Sequence, residues 1–249
     1  MFEMTLSAKE LLVLAAEMDA EHFYGVRDPF WGMTSEEIRA EYPKHMDALE
    51  KKGYLSMGFD DNIVIDDAVK KMVQICSNAV KYISVNAISF GAKQPSAVLY
   101  FGADECVRLV SNDVDVRLTT LLPNEVADLV METAVSACKA CEERTEYISL
   151  GQDTLSAAAA NEDTVACTTL KQNGCSDAMA KLLTAGLKKT ASYCTISITN
   201  LEKRTLEGFN LVYDEENMLL LEPEAETIDR WIIRWQTNKA LRQELTAKL

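Results

Sequence analysis

The stretch "KYISVNAISFGAKQPSAVLYF" (residues 81–101) contains two runs of strand-forming residues, 81–90 and 97–101, separated by a polar loop. Short runs rich in aromatic and β-branched residues, with glycine and proline between them, predict a β-hairpin. Two further runs of the same kind follow, at 106–110 and 114–118. The sequence therefore predicts a sheet of sequential strands in this part of the chain.

A similar order recurs later in the chain, where Tyr193 follows Tyr82 by 111 residues. The run 192–200 resembles 81–89, and 210–223 resembles 98–111. In both copies a proline is predicted to precede a long helix, the first of which we expect to end near residue 145. These prolines are Pro123 and Pro223. We interpret the recurrence as a weak internal repeat.

The repeat predicts an α+β fold of two pseudo-repeated halves, each with antiparallel strands and flanking helices. The predicted halves are residues 1–150 and 151–249, and the alternative is one integrated domain. Residues 151–166 are small and polar, so we expect a linker or a weak helix there. Residues 176–189 have the apolar spacing of an amphipathic helix.

The N-terminal part has the order of a winged-helix-like unit. Capping boxes at Ser7 and Thr34 predict helix starts. A helix ending at Lys52, a short hairpin and another helix over about 66–79 follow. Such units often bind DNA, so a winged-helix transcriptional regulator with a ligand-sensing C-terminal part is an alternative function.

The charge of this unit argues against nucleic acid as a partner. Residues 34–71 contain nine acidic and six basic residues, and the hairpin tip carries Asp60 and Asp61. A surface that reads DNA is normally basic, because lysine and arginine neutralise the phosphates. We therefore predict that the protein binds no nucleic acid.

The sequence contains no recognisable catalytic set, so we predict no enzyme activity, no metal and no cofactor. A Ser/His/Asp or Cys/His set would need His22 or His45, and we expect both at the surface or at helix caps. Cys138 and Cys141 lie on a predicted helix without the second ligand pair that a zinc site needs. An enzyme with an unrecognised site, and no candidate nucleophile, stays open as a third possibility.

Composition predicts a globular protein of the cytoplasm. The net charge of −14 favours solubility and a neutral or basic partner. No apolar run reaches 18 residues, so we predict no membrane insertion. The first residues have neither the basic region nor the cleavage site of a secretory signal, and we expect the seven cysteines to be reduced.

Two hairpin loops and one predicted helix are the candidate partner-binding segments. Loops that a sheet holds in place are common recognition elements. The segment 228–245 is predicted as a helix with two tryptophans one turn apart, and its apolar face either packs on the sheet or contacts a partner. The candidate residues are Lys93, Gln94, Pro95, Lys203, Arg204, Trp231, Arg234 and Trp235. The alternative for both loops is an ordinary solvated turn.

The order of these segments resembles a known family. It is carried by the opening helix "LSAKELLVLAAEM" (6–18), the two α+β halves, and "LYFGADECVRLVSNDVDVRLTTLLPNEVADLVMETA" (99–134). This order resembles the EspG-like proteins of type VII (ESX) secretion. The resemblance implies a cytosolic, non-enzymatic chaperone with a pseudo-twofold fold. It also implies a helical secreted partner, WXG-like or similar, held at its helical tip by hairpin loops and helices.

Overall fold

The structure is a computed structural model that describes residues 2–20, 23–58, 62–89, 92–93, 96–112, 115–136, 138, 143–225, 227 and 229–249. The chain groups into two compact units, each discontinuous in sequence. The first comprises Met1–Ser84, Pro95–Val126 and Thr199–Thr205. The second comprises Val85–Gln94, Ala127–Ile198 and Leu206–Leu249. The division at residue 150 stays a prediction of the sequence.

The elements of residues 3–121 alternate between strands and helices. The strands are β1 (Glu3–Ser7), β2 (Leu55–Met57), β3 (Ile63–Ile65), β4 (Lys81–Ser89), β5 (Ala92–Lys93), β6 (Ser96–Phe101), β7 (Cys106–Ser111) and β8 (Asp115–Leu121). The helices are α1 (Ala8–Ala16), α2 (Ser35–Lys51) and α3 (Asp67–Ser77). In the first unit β1, β8, β7 and β6 are neighbours in that order, and each pair is antiparallel. The four strands predicted between residues 81 and 118 are confirmed as β4, β6, β7 and β8.

Both predicted capping boxes are confirmed. The Ser7 backbone N–H donates to Glu10 Oε2 at 2.7 Å, and the Glu10 N–H donates to Ser7 Oγ at 3.2 Å. Thr34 and Glu37 make the same reciprocal pair. The sequence did not predict β1, whose two buried side chains, Met4 and Leu6, are too few to establish a period.

The elements α2, β2, β3 and α3 follow one another in the predicted order. β2 and β3 pair antiparallel, with Leu55 opposite Ile65. The hairpin tip with Asp60 and Asp61 lies outside the described residues, and the winged-helix-like interpretation stays a prediction. His45, expected at the surface, is buried in α2, and its Nε2 lies 3.4 Å from Glu41 Oε2.

The second unit combines a helical layer with antiparallel strands. A 3₁₀ turn at Pro123–Glu125 leads into α4 (Val126–Val135). The remaining elements are β9 (Tyr147–Gly151), α5 (Gln152–Ala160), α6 (Asp163–Gln172), α7 (Asp177–Leu187), β10 (Ser192–Asn200), β11 (Thr205–Tyr213), β12 (Met218–Pro223), β13 (Arg230–Trp235) and α8 (Asn238–Lys248). The strand order is β10, β11, β12, β13, β9, and the pairs from β11 onward are antiparallel.

The predicted helix over 228–245 is wrong for residues 230–235 and confirmed from Asn238 onward. Residues 230–235 form the strand β13, and only α8 from Asn238 onward is helical. The segment "RWIIRW" alternates arginine or isoleucine with bulky apolar residues, which suits a strand with two different faces. Trp231 and Trp235 satisfy both periods, because residues four apart share a face in a helix and in a strand. The predicted helix after Pro223 is wrong for the same reason, since β13 is the next element.

The sequence predicted a linker or a weak helix at residues 151–166, and the helical alternative is confirmed, because α5 and the first turn of α6 occupy most of them. The helix after Pro123 ends at Val135 and not near 145. Cys138 therefore follows that helix, and its predicted pair Cys141 lies outside the described residues.

Helices α5, α6 and α7 pack on one face of the strands of the second unit. The buried side chains of this core are Leu150, Leu155, Ala158, Ala166, Leu170, Cys175, Met179, Ala180, Leu182, Leu183, Ala191, Val212, Leu219, Leu221, Ile233 and Trp235. The opposite face receives α8, whose Leu241 and Leu245 are buried. Within the described residues, no helix combines the length and the apolar character needed to span a bilayer.

One glycine sets the distance between the helical layer and the strands. A Cβ on Gly186 of α7 would lie 2.4 Å from Val212 Cγ1 and 2.8 Å from Val212 Cγ2 on β11. Carbon atoms in ordinary contact are about 3.5–4.0 Å apart. Only glycine therefore fits at this crossing without displacing α7.

Candidate partner-binding groove

A surface groove in the second unit runs between α5 and the strands beside it. We call it the Trp231 groove and divide it into two sections. The helix section has a volume of 240 Å³ and is lined by Gln152, Leu155, Ser156, Ala159, Leu187, Tyr193, Asn210, Leu221 and Trp231. The loop section has a volume of 460 Å³ and is lined by Gln152, Pro223, Glu224, Ala225, Thr227, Asp229, Arg230 and Trp231. Gln152 and Trp231 line both sections, so the two sections adjoin at this pair.

The position of Trp231 is fixed by two hydrogen bonds. Its Nε1–H donates to Gln152 Oε1 at 2.7 Å, and the Gln152 backbone N–H donates to the Asp229 carbonyl at 2.7 Å. The first residue of α5 is thereby tied to the start of β13. Because its only polar side-chain atom is already bonded, the partly buried indole offers the groove a rigid apolar surface.

The helix section is apolar with a self-contained polar floor. Tyr193 Oη lies 3.2 Å from Asn210 Oδ1, and the Thr195 hydroxyl donates to Tyr193 Oη at 2.8 Å. The Tyr193 and Thr195 hydroxyls and the Asn210 Oδ1 bond one another, so an apolar occupant leaves none of these three oxygens without a hydrogen bond. Leucines 155, 187 and 221 complete the apolar lining.

Two of the α5 side chains that line the helix section, Ser156 and Ala159, are small and exposed. Small side chains let a second helix approach closely, because the interaxial distance depends on the residues at the contact. The small residues, for which the sequence predicts a linker or a weak helix, therefore belong to a helix and give the groove a smooth wall.

The loop section is acidic. The Arg230 guanidinium is held by Glu224 and Ser149, with Nε 3.1 Å from Glu224 Oε2 and 2.9 Å from Ser149 Oγ. Asp229 also lines this section, and within the described part of the chain its carboxylate makes no ion pair. This section therefore favours a positively charged group on whatever occupies it.

Arg234 and Trp235 lie outside the groove. Arg234 faces away from the helical layer, where its Nη2 lies 3.3 Å from Glu222 Oε2 and 2.9 Å from Glu244 Oε2. Trp235 is only 6% exposed. Its Nε1–H donates to Glu146 Oε2 at 3.0 Å, and the Arg144 guanidinium lies 4.4 Å from its ring centre.

Glu146, whose carboxylate accepts the hydrogen bond from Trp235, has a pKa that its neighbours lower. Burial alone would raise the pKa of Glu146, but hydrogen bonds from Trp235 and Ser176 hold that pKa below its ordinary value of 4.5. The Glu146 carboxylate also accepts hydrogen bonds from Ser176, the N-cap of α7. It therefore connects the start of β9 to β13 and to α7. These contacts give Trp235 a structural role, and its predicted partner contact stays untested.

Of the predicted loop residues, Lys203 and Arg204 are described and are not among the residues that line the groove. Lys93 belongs to β5 by its backbone, opposite Ile88. Gln94 and Pro95 lie outside the described residues. Lys203 and Arg204 are exposed in the turn after β10, which belongs to the first unit, and Arg204 has a left-handed φ of 53°. Their role in partner binding stays a prediction.

Sequence reasoning missed most of the groove lining. Gln152, Tyr193 and Asn210 are far apart in the chain, and only the strand order and the placement of α5 bring them together. Leu155 and Ala158 at helical spacing were the one available signal for α5. Within the described residues, no cluster of three or more His, Cys, Asp or Glu side chains could hold a metal ion.

Among the comparisons with known proteins, only the one with solved structures finds a similarity, and it concerns the fold. No protein-family model matches the chain, and no curated protein matches it. The structure is similar to that of the type VII secretion system chaperone EspG5 of Mycobacterium tuberculosis, solved in complex with the PE25–PPE41 dimer. The TM-score is 0.71 at 12% sequence identity, covering 98% of this chain and 95% of that chain. The resemblance to EspG-like proteins is thus confirmed at the level of the fold.

Proposed function

We propose that this protein is a cytoplasmic, non-enzymatic chaperone or adaptor that holds a helical secreted protein in the Trp231 groove. The observation that carries the proposal is the groove itself, which places a fixed indole and an apolar lining beside a helix of small residues. The EspG5 fold supports a chaperone role, since EspG5 is a secretion chaperone found with a protein dimer. The partner is a helical type VII substrate, WXG-like or similar.

The groove favours a helix as the bound element. An amphipathic helix that lies in an apolar groove contacts it through residues spaced i, i+3, i+4 and i+7. One such face would meet Trp231, Leu155 and Leu187 in succession, and the small residues of α5 would allow its backbone to come close. Binding would cover an apolar patch on the client and so keep it from aggregating before export. Release would then need a competitor such as the secretion ATPase.

Charge supports the same type of partner. The chain carries a net charge of −14, and the loop section of the groove adds Asp229, which has no ion-pair partner among the described residues. A client with a basic helix face would be attracted over a distance and oriented as it approaches, and one with a neutral face would meet no long-range repulsion.

The test is a matched pair of substitutions on α5. Ser156 lines the groove and Ala157 does not, although both are exposed on the same helix. We expect Ser156→Arg to fill the helix section and to abolish co-purification of a small helical client from the native host. Ala157→Arg should retain the client, because Ala157 lines neither section of the groove. Recovery of no small helical client with the unmodified protein, or equal recovery with both variants, would contradict the proposal.

A second matched pair tests the indole. Trp231→Ala should weaken client binding by about 2–4 kcal/mol, the usual cost of truncating a central aromatic anchor. Trp31→Ala removes an indole that is 82% exposed in the first unit and should leave that affinity unchanged. Weaker binding by Trp31→Ala, together with unchanged binding by Trp231→Ala, would place the binding site in the first unit.

The winged-helix regulator has less support. Residues 34–71 carry a net charge of −3, from six basic and nine acidic residues, and this sign disfavours DNA. A salt-dependent gel shift with genomic DNA is the result that would bring this alternative back.

A further inference from the structure

Within the described residues, the strand β9 leaves one row of backbone groups without a strand partner. It lies at the end of the strand order of the second unit and, in that part of the chain, pairs with β13 alone. Two backbone hydrogen bonds, one at each end of β9, show which of its residues bond to β13. The Trp235 N–H donates to the Glu146 carbonyl, and the Gln152 N–H donates to the Asp229 carbonyl.

Those two bonds establish which residues of β9 face outward. Antiparallel pairs alternate between bonded and non-bonded positions, so the even-numbered residues from 146 to 152 bond to β13. Arg230, opposite Gly151, instead uses its carbonyl to accept from the Glu224 N–H at 3.0 Å, on the β12 side. Tyr147 and Ser149 must therefore direct their N–H and C=O groups to the free edge. Gly151 directs only its N–H there, because it is the N-cap of α5 and its carbonyl accepts the first hydrogen bond of that helix.

This edge carries little of the protection that natural sheets use. Exposed edges are normally blocked by lysine, proline or a bulge, and β9 has the sequence Tyr-Ile-Ser-Leu-Gly. One guanidinium covers part of it, since Arg230 Nη2 donates to the Ser149 carbonyl at 3.0 Å. That contact occupies the Ser149 carbonyl, so an added strand would have to displace the guanidinium from this acceptor. Tyr147 is 72% exposed beside it.

We propose that the free edge of β9 binds an extended segment of a partner protein by strand addition, and that the segment carries a basic residue at each end. Strand addition gives affinity through main-chain hydrogen bonds along an open sheet edge. The basic ends follow from the charges that flank β9. Glu143 precedes the strand and Asp153 follows it, and within the described residues neither carboxylate has an ion-pair partner.

The flanking charge also selects against a second copy of this chain. An antiparallel pair of β9 strands would place Glu143 of each copy near Asp153 of the other, so like charges would meet at both ends. Tyr147, Ser149 and Gly151 line neither section of the Trp231 groove, although Arg230 both lines the loop section and bonds the Ser149 carbonyl. The proposal therefore stands whether or not the groove binds a helical client.

Gly151 allows a clean test. Its φ is −71°, which proline adopts, and a Cβ there would meet nothing within 4 Å. Its N–H points to the free edge, so Gly151→Pro removes an outward donor without removing a bond to β13. Gly151→Ala keeps that donor and serves as the matched control. Circular dichroism and thermal unfolding of the full chain verify that both variants fold.

The probe is the fluorescently labelled peptide Lys-Val-Thr-Val-Thr-Val-Lys, with blocked ends. We expect fluorescence anisotropy to show saturable binding to the unmodified protein and to Gly151→Ala with affinities within about twofold. Gly151→Pro should weaken binding by about 3- to 10-fold, the effect of one lost hydrogen bond. A peptide N-methylated at alternate valines, and one with glutamate in place of both lysines, should bind more weakly.

Several results would overturn the proposal. They are no binding of the lysine peptide, equal binding by Gly151→Pro, and undiminished binding of the N-methylated or glutamate peptide. Sedimentation of the unmodified protein as a dimer that Gly151→Pro dissociates would make a second copy the occupant and would also overturn it.

Discussion

The contact between Gly186 and Val212 gives a prediction whose sign depends on the structure. By helix propensity alone, Gly186→Ala in α7 should stabilise the protein by about 1 kcal/mol. The new methyl would, however, lie 2.4 and 2.8 Å from the two Cγ atoms of Val212. Overpacking of this kind costs about 1–3 kcal/mol or more.

The clash cannot be relieved by a small rotation. Val212 is only 3% exposed, and a β-branched side chain has few alternative χ1 positions. The separations are also both more than about 0.5 Å short of normal contact, which places the cost at the upper end of that range. We therefore expect Gly186→Ala to lower the free energy of unfolding by about 1–2 kcal/mol, after the gain in helix propensity.

Urea unfolding of four proteins measures this effect. They are the unmodified chain, Gly186→Ala, Val212→Ala and the double variant. Val212→Ala alone should destabilise by leaving a small cavity, and the methyl group that Gly186→Ala introduces should fill part of that cavity. The double variant should thus be more stable than the sum of the single effects by about 1 kcal/mol or more. A Gly186→Ala variant as stable as the unmodified protein, or single effects that simply add, would refute this account of the packing.

Two other predictions concern titratable groups. Burial alone would raise the pKa of Glu10, but hydrogen bonds from Lys52 and Ser7 hold that pKa below 4.5. The contribution of Glu10 to the free energy of unfolding is therefore present above pH 4.5 and is lost as the pH falls through the folded-state pKa. Glu10→Gln should therefore lower the free energy of unfolding by about 1–3 kcal/mol at about pH 7 and by much less at about pH 3. Urea unfolding at the two pH values measures both losses, and equal losses would contradict this role of Glu10. Burial raises the pKa of Cys175 to about 11 and that of Cys194 to about 12, whereas Cys167 is partly exposed. Cys167 should consequently be alkylated before them by iodoacetamide at about pH 8, measured by peptide mass spectrometry, and faster labelling of Cys194 would contradict this burial.

Local signals predicted the first part of the chain well. The capping boxes at Ser7 and Thr34 involve residues three apart, so their geometry depends on few neighbours. The strands β6 to β8 are short runs separated by turn residues, and adjacent runs pair with each other. Both features depend on contacts that are close in sequence.

The groove depends on contacts that are distant in sequence. The sequence marks Trp231 by its residue type, since tryptophan is frequent at interfaces, although the helix predicted around it is a strand. Its hydrogen-bond partner Gln152 lies 79 residues away, and no local pattern marks that pairing. The small residues of α5 gave a weak helical signal because the burial of Leu155 and Ala158, and not propensity, holds that helix in place.

The pairing of β1 with β8 has a consequence for synthesis on the ribosome. Glu3 lies opposite Thr119, so the first strand to emerge finds its partner only after more than a hundred further residues have been made. At about 5–20 residues per second, this strand waits on the order of 6–20 seconds with Met4 and Leu6 exposed. The first unit also requires Thr199–Thr205, which is made later still. A nascent chain of this protein therefore exposes apolar surface during its own synthesis and depends on the second half of the message to complete the first unit.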